Sequence, residues 1–133
     1  MSYSLQRRFS CPVELALEVL GGKWKPVILA HLKQRPLHYA DLRRLIPRLS
    51  DKMLSQRLHD LAIQDLVMRV QGPKGKRSQY RLTGRGRSLA PVLQALHDWG
   101  EEMALPFGAI IEPPADHGPA LATRAPPRVG RRS

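Results

Sequence analysis

Between Ser50 and Ile63, Leu54, Leu58 and Leu61 stand four and three residues apart, the spacing at which side chains share one helix face. With that stripe turned inward, an advance of about 100° per residue points Lys52, Gln56 and His59 directly away from it. Ser55 falls on one flank, Met53 and Arg57 on the other. A Gln amide matches the donor and acceptor of adenine, Arg or Lys the paired acceptors of guanine, and a Ser hydroxyl either a base or a phosphate. Taken alone, the same face also describes an ordinary solvated helix.

The neighbouring sequence favours the groove-reading chemistry. From Arg69 to Arg87 lie seven basic residues, Arg69, Lys74, Lys76, Arg77, Arg81, Arg85 and Arg87, and no acidic one. Lys74, Lys76 and Arg77 fall in a Gly/Pro-containing loop, from which they could reach phosphates or a minor groove; a solvated turn is the plainer alternative. Upstream, Arg43, Arg44, Arg48 and the Ser50 hydroxyl are candidates for contacts to a sugar-phosphate backbone, which fix register without reading sequence.

Other chemistries find less support. The five histidines, His31, His38, His59, His97 and His117, form no HExxH or Cys/His pattern, so no metal site and no cofactor is expected. There is no Gly-rich phosphate loop and no nucleophile motif, and an enzyme is not expected; a pocket gathering His38, Asp41 and Arg43 would be the contrary sign. The single cysteine, Cys11, excludes a disulfide within the chain.

Elements to hold these residues can be read from periodicity and breakers. Pro12 to Leu20 and Trp24 to Leu32 each carry apolar residues at helical spacing, separated by Gly21-Gly22, and both helices are expected to be mainly core. Leu37–Tyr39 suits a short strand, Ala40–Ile46 a helix stopped by Pro47, and Ser50 is a good N-cap for the next, with Asp51 in its first turn. Leu66–Gln71 and Ser78–Thr83 alternate apolar and polar residues around GPKGKR, the pattern of a hairpin. Thr83 can cap a last helix from about Gly84 to Met103, kinked or delayed by Pro91. Its stripe of Leu89, Val92, Leu93, Leu96, Trp99 and Met103 is longer than so small a domain needs, and the excess suits a dimer interface shared with the first helix and the N-terminal arm. The fold class expected is mainly α with a small β-hairpin (α+β): a winged helix-turn-helix with N- and C-terminal dimerisation helices.

Length and charge agree with this organisation. A chain of 133 residues suits one domain: a flexible arm over 1–10, a folded unit over 11–107, and a Pro/Arg-rich tail without fixed structure over 108–133. The formal net charge is +11, and the tail after Ile111 holds only four arginines against two acids, so most of the excess lies in the folded part. A polyanionic partner is implied. No apolar run approaches a membrane span and MSYSLQRRFS lacks the apolar core of a signal peptide, so the expectation is a cytoplasmic protein without a membrane partner.

Several motifs now stand in one order: CPVELALEVLGGKWKPVILAHL, HYADLRRLIP, LSDKMLSQRLHDL, SQYRLT and GRSLAPVLQALHDWG. From Cys11 to Gly100 the chain resembles the HxlR-type regulators, a branch of the MarR-like winged-helix proteins. The resemblance implies a homodimeric, sequence-specific double-stranded DNA-binding regulator, usually a repressor, acting on a roughly palindromic operator. By position it implies a recognition segment over Ser50–Leu61 centred on Ser55-Gln56-Arg57, and a wing over Gly72–Arg77. Some members of that family use a cysteine at the place of Cys11 to sense oxidants or electrophiles, so an oxidant or small-molecule effector is implied as one alternative and a plain structural cysteine as the other. A winged-helix module that docks a protein or RNA is the competing function, although aromatic platforms for single-stranded RNA are scarce here.

Overall fold

The computed structural model describes residues 8–113. Most of the expected arm and most of the expected tail therefore lie outside the described residues, as does His117. The elements run α1 (Pro12–Leu20), α2 (Trp24–Gln34), α3 (Tyr39–Leu45), α4 (Asp51–Ile63), β1 (Val67–Val70), β2 (Gln79–Leu82), α5 (Gly84–Arg87) and α6 (Ala90–Met103). The fold is mainly helical with one antiparallel hairpin, a winged helix-turn-helix arrangement.

Local chemistry accounts for the boundaries. Ser50 caps α4, its Oγ accepting from Met53 N at 3.1 Å, and Thr83 caps α5, its Oγ1 accepting from Gly86 N at 2.9 Å. The long helix expected after Thr83 is two helices: α5 closes after one turn, and α6 starts afresh with Pro91 in its first turn, where a missing N–H costs nothing. Gly86 is buried where α5 meets the start of the hairpin; a Cβ there would stand 2.1 Å from Leu66 O, so no larger residue fits without moving the backbone.

The turn from α4 into the wing is a Schellman closure. Leu66 N donates to Leu61 O at 2.9 Å and Asp65 N to Ala62 O at 3.0 Å, with Asp65 left-handed at φ 62°. Leu61 and Leu66 are both buried, which supplies the apolar contact that accompanies this motif. The hairpin pairs Val67 with Leu82 and Val70 with Gln79. Leu37, in the expected short strand, makes a single bridge to Tyr80 and ties the segment before α3 to the wing.

One core holds these elements, centred on Ile28, Leu29, Leu37, Leu42, Leu49, Leu54 and Leu61. The expectation for α1 needs correction. Only Leu20 of that helix is buried, while Val13, Leu15 and Leu17 face outward, so most of its apolar surface is uncovered among the described residues. Lys25 is the buried cation of α2, 4% exposed, with Nζ donating to Val19 O and Gln64 Oε1, both at 3.2 Å. Burial holds its pKa below the ordinary lysine value, with Asp60 and Glu18 opposing that effect and Arg57 adding to it.

Candidate nucleic-acid interface

The inward stripe of α4 stands as the spacing predicts: Leu54, Leu58 and Leu61 are buried, and Lys52, Ser55, Gln56 and His59 are exposed. Arg57 departs from the expectation. It is half-buried, and its Nη1 lies 3.2 Å from Asp60 Oδ2, so this cation is held against its own helix. Gln56 Nε2 donates to the other oxygen of the same carboxylate at 3.1 Å.

The junction of α3 and α4 is fixed by polar bonds. Arg43, expected to face a phosphate, instead pairs through Nε with Asp51 Oδ1 at 3.1 Å and donates through Nη1 to Leu49 O. Its guanidinium therefore braces the turn that introduces α4. Tyr39, which the sequence reading left without a role, adds to the brace: its Oη donates to Asp51 Oδ1 at 2.7 Å and lies 3.2 Å from Ser55 Oγ. Burial first, with Asp51 assisting and Ser55 opposing, raises the Tyr39 pKa, so the phenol remains a neutral donor. No local spacing signals this bond, because its partners lie across a turn.

The opening of α3 is likewise self-contained. His38 N donates to Asp41 Oδ2 at 2.9 Å, and Arg44 pairs with Asp41 Oδ1. Burial works against the Asp41 carboxylate, but the His38 and Arg44 bonds prevail and hold its pKa below the usual value. The three residues that an enzymatic reading would gather are thus committed to structure. Arg44 remains half exposed despite its pair, and Arg48 and Ser50 are exposed in and after the turn.

The base of the wing is bonded to the residue that precedes α3. His38 Nδ1 lies 2.9 Å from Ser78 O, and Arg69 Nε donates to Ser78 Oγ at 2.9 Å. Beyond that base Lys74, Lys76 and Arg77 are exposed in a loop turned at Pro73–Lys76. Of the other basic residues in the acid-free run, Arg85 reaches Gln64 O and Asp65, and Arg87 donates to Leu82 O. Arg81 is exposed on β2 and is not held in this way, so the wing tip together with Arg81, rather than the whole run, presents cations to the surroundings.

The six expected interface residues of the last helix divide. Val92, Leu96 and Trp99 are exposed, at 44, 51 and 59%. Leu93, by contrast, is 3% exposed and belongs to the chain's own core, with Leu89 packed against it; Met103 is half-buried. Helical bonding continues past α6 to Phe107, where Ala109 N to Ala104 O and Gly108 N to Leu105 O close a second Schellman turn with Gly108 left-handed. Phe107 packs near Trp99, ring centroids 6.3 Å apart, and Leu105, Ile110 and Ile111 extend the exposed apolar surface.

Cys11 is exposed and occupies the N-cap of α1 with no side-chain cap bond. Among the described residues His97, Asp98 and Glu101 of α6 form an exposed cluster of metal-ligand types that the spacing rules did not flag. Also among the described residues, no helix is long and apolar enough to cross a membrane.

Comparison with known proteins gives this geometry a context. Residues 19–106 match the HxlR-like helix-turn-helix family. The HTH-type transcriptional regulator YkvN of Bacillus subtilis is 40% identical over 95 residues, 71% of this chain and 80% of that protein. The solved structure of the redox regulator HypR in its reduced form superimposes with a TM-score of 0.68 at 31% identity, covering 74% of this chain and 98% of that one. Diamide-treated YodB from B. subtilis gives 0.58 at 31% identity, covering 71% and 96%.

Proposed function

The chain belongs to the HxlR-like helix-turn-helix family of DNA-binding transcriptional regulators, which are not enzymes, and on that premise we propose that it works as a homodimeric repressor of a roughly palindromic operator. Residues 11–107 form the DNA-binding and dimerisation unit, acting on double-stranded DNA in the cytoplasm. The observation that carries the reading is the outward face of α4, where Lys52, Ser55, Gln56 and His59 stand exposed over a buried leucine stripe. In this reading Arg44, Arg48 and Ser50 grip the backbone beside α4, and Lys74, Lys76 and Arg77 grip it from the wing.

Dimerisation is supported by the uncovered apolar faces of α1 and α6. Val13 and Leu17 on one, and Val92, Leu96 and Trp99 on the other, are larger and more numerous than scattered surface apolar residues require. A two-fold pair sets its recognition helices in successive major grooves, with half-sites about one helical turn, roughly 34–36 Å, apart. Selection of bound duplexes from a random pool tests the proposal as a whole. The expected result is a motif with two-fold symmetry; no enrichment, or one unrepeated half-site, overturns it.

Control by an oxidant is the finer part of the proposal. HypR is a redox regulator by name and YodB has been solved after diamide treatment, and here Cys11 is exposed at the start of α1, open to an oxidant. With one cysteine per chain, the available products are a disulfide between subunits or with a small thiol. Diamide treatment should modify Cys11 and change operator affinity. Unmodified Cys11 with unchanged affinity removes the redox reading and leaves a structural cysteine or a small-molecule effector.

A further inference from the structure

Asp60 lies on α4 with one carboxylate oxygen on each of two side chains placed at the centre of the recognition segment. Oδ1 accepts from Gln56 Nε2 at 3.1 Å, and Oδ2 pairs with Arg57 Nη1 at 3.2 Å. The spacings, four and three residues, are those at which helix side chains meet. The Arg57 pair is only partly open to water, with the Asp60 and Arg57 side chains 19% and 30% exposed, whereas the Gln56 bond lies on the exposed face of the helix. Buried Lys25, whose Nζ is fixed to Val19 O and Gln64 Oε1, feels the charge of Asp60. The carboxylate therefore has one cation paired with it and a second, buried one within electrostatic reach.

An ionised carboxylate only accepts hydrogen bonds, so it is the nitrogen of the Gln56 amide, never the oxygen, that turns toward Asp60. One amide N–H is then occupied. The carbonyl oxygen and the second N–H remain, and this is the pair that matches N6 and N7 of adenine. Arg57, by the same carboxylate, is restrained from reaching guanine or a phosphate.

We propose that Asp60 is a specificity-determining positioning residue: it presents the Gln56 amide to a base edge in one orientation and withholds Arg57 from indiscriminate contacts. The inference rests on α4 being the DNA-reading helix. An acid near a polyanion weakens binding to every sequence, yet this one increases the difference between sequences.

The two effects separate experimentally. The probes are the duplex selected by the wild-type protein, the same duplex with each base pair exchanged in turn, and a random-sequence duplex. Asp60→Ala removes a negative charge and releases both side chains, and alanine is the better helix former. It should bind random duplex several-fold more tightly, while its preference at the base pair read by Gln56 falls by about tenfold, the low end of what one paired contact discriminates. Adding Gln56→Ala to Asp60→Ala should lower that preference no further than Gln56→Ala alone. Asp60→Asn keeps an acceptor for Gln56 but not the charge for Arg57, so it should retain more of the preference than Asp60→Ala. A residue that merely supported the fold would lose affinity for all duplexes together and would change the ratio little. If wild type binds without any preference, the DNA-reading proposal and this one both fall. If wild type discriminates and Asp60→Ala discriminates equally well, this inference alone is overturned.

Discussion

Replacing Lys74, Lys76 and Arg77 together by alanine, and separately replacing Arg43 by alanine, distinguishes cations offered to DNA from cations committed to the fold. Each neutralised phosphate contributes roughly 0.9 to the slope of log affinity against log salt. Three wing-tip cations in each of two subunits would account for about five units of that slope if all six contact phosphates. Between 50 and 200 mM salt such a contribution is on the order of a thousandfold in affinity, which the triple variant should no longer lose. Arg43 carries the same formal charge, but its guanidinium bonds Asp51 and Leu49 O. Arg43→Ala should therefore leave the slope within about one unit of wild type and lower thermal stability instead. Fluorescence anisotropy titrations at four or five salt concentrations measure both slopes. A triple variant with the wild-type slope, or an Arg43 variant that flattens it as the triple does, refutes the assignment.

Three further outcomes follow from the geometry. Trp99→Asp should give a folded monomer in light scattering because the side chain is exposed, whereas Leu93→Ala, in the core, should cost about 2–5 kcal/mol in urea unfolding; monomeric wild type would contradict the first. Asp65→Gly should stabilise the fold by a few tenths to about 1 kcal/mol, since φ at 62° suits glycine better than aspartate, and a loss of stability would show the Asp65–Arg85 pair to matter more. Burial holds the His31 pKa below its ordinary 6.5, so the unfolded chain takes up the proton first as pH falls. Its contribution to stability is complete above pH 6.5 and declines from there toward the native pKa; His31→Leu should flatten the decline, and an unaltered pH profile would contradict the assignment.

What could be read from the sequence was what depends on local periodicity and capping. The leucine stripe of α4, the Ser50 and Thr83 caps, the hairpin around GPKGKR and the interruption at Pro91 all arise from residues within a few positions of one another. The apolar stripe of α6 was visible too, but not its division: Leu93 and Leu96 are three residues apart, and spacing reports only that a side chain leaves water, not whether its own chain or a partner receives it. The same ambiguity made α1 look like core. Tyr39 and Asp65 were out of reach for other reasons, the first bonded across the α3–α4 turn, the second held left-handed by the closure of α4.

Charge was the property most easily overread. A formal count treats every arginine in the helix-turn-helix and wing as available, yet Arg43, Arg57, Arg69, Arg85 and Arg87 each meet a carboxylate, carbonyl or hydroxyl of the same chain. A guanidinium has five donors in a fixed fork and can bridge elements, which makes it useful for bracing a small domain with a modest core. Lys52, Lys74 and Lys76 are exposed and carry compact charges on flexible stems, better suited to following a phosphate strand than to fixing a turn. The division has a functional consequence. Arg43 fixes the α3–α4 turn and Arg85 ties α5 to the end of α4, so in the proposed reading the backbone contacts fall to Arg44, Arg48 and the wing-tip cations, and sequence reading rests chiefly on Gln56 and Ser55, which are bonded to Asp60 and Tyr39. Discrimination in this protein should therefore depend more on two acceptor and hydroxyl bonds behind the recognition face than on its large positive charge.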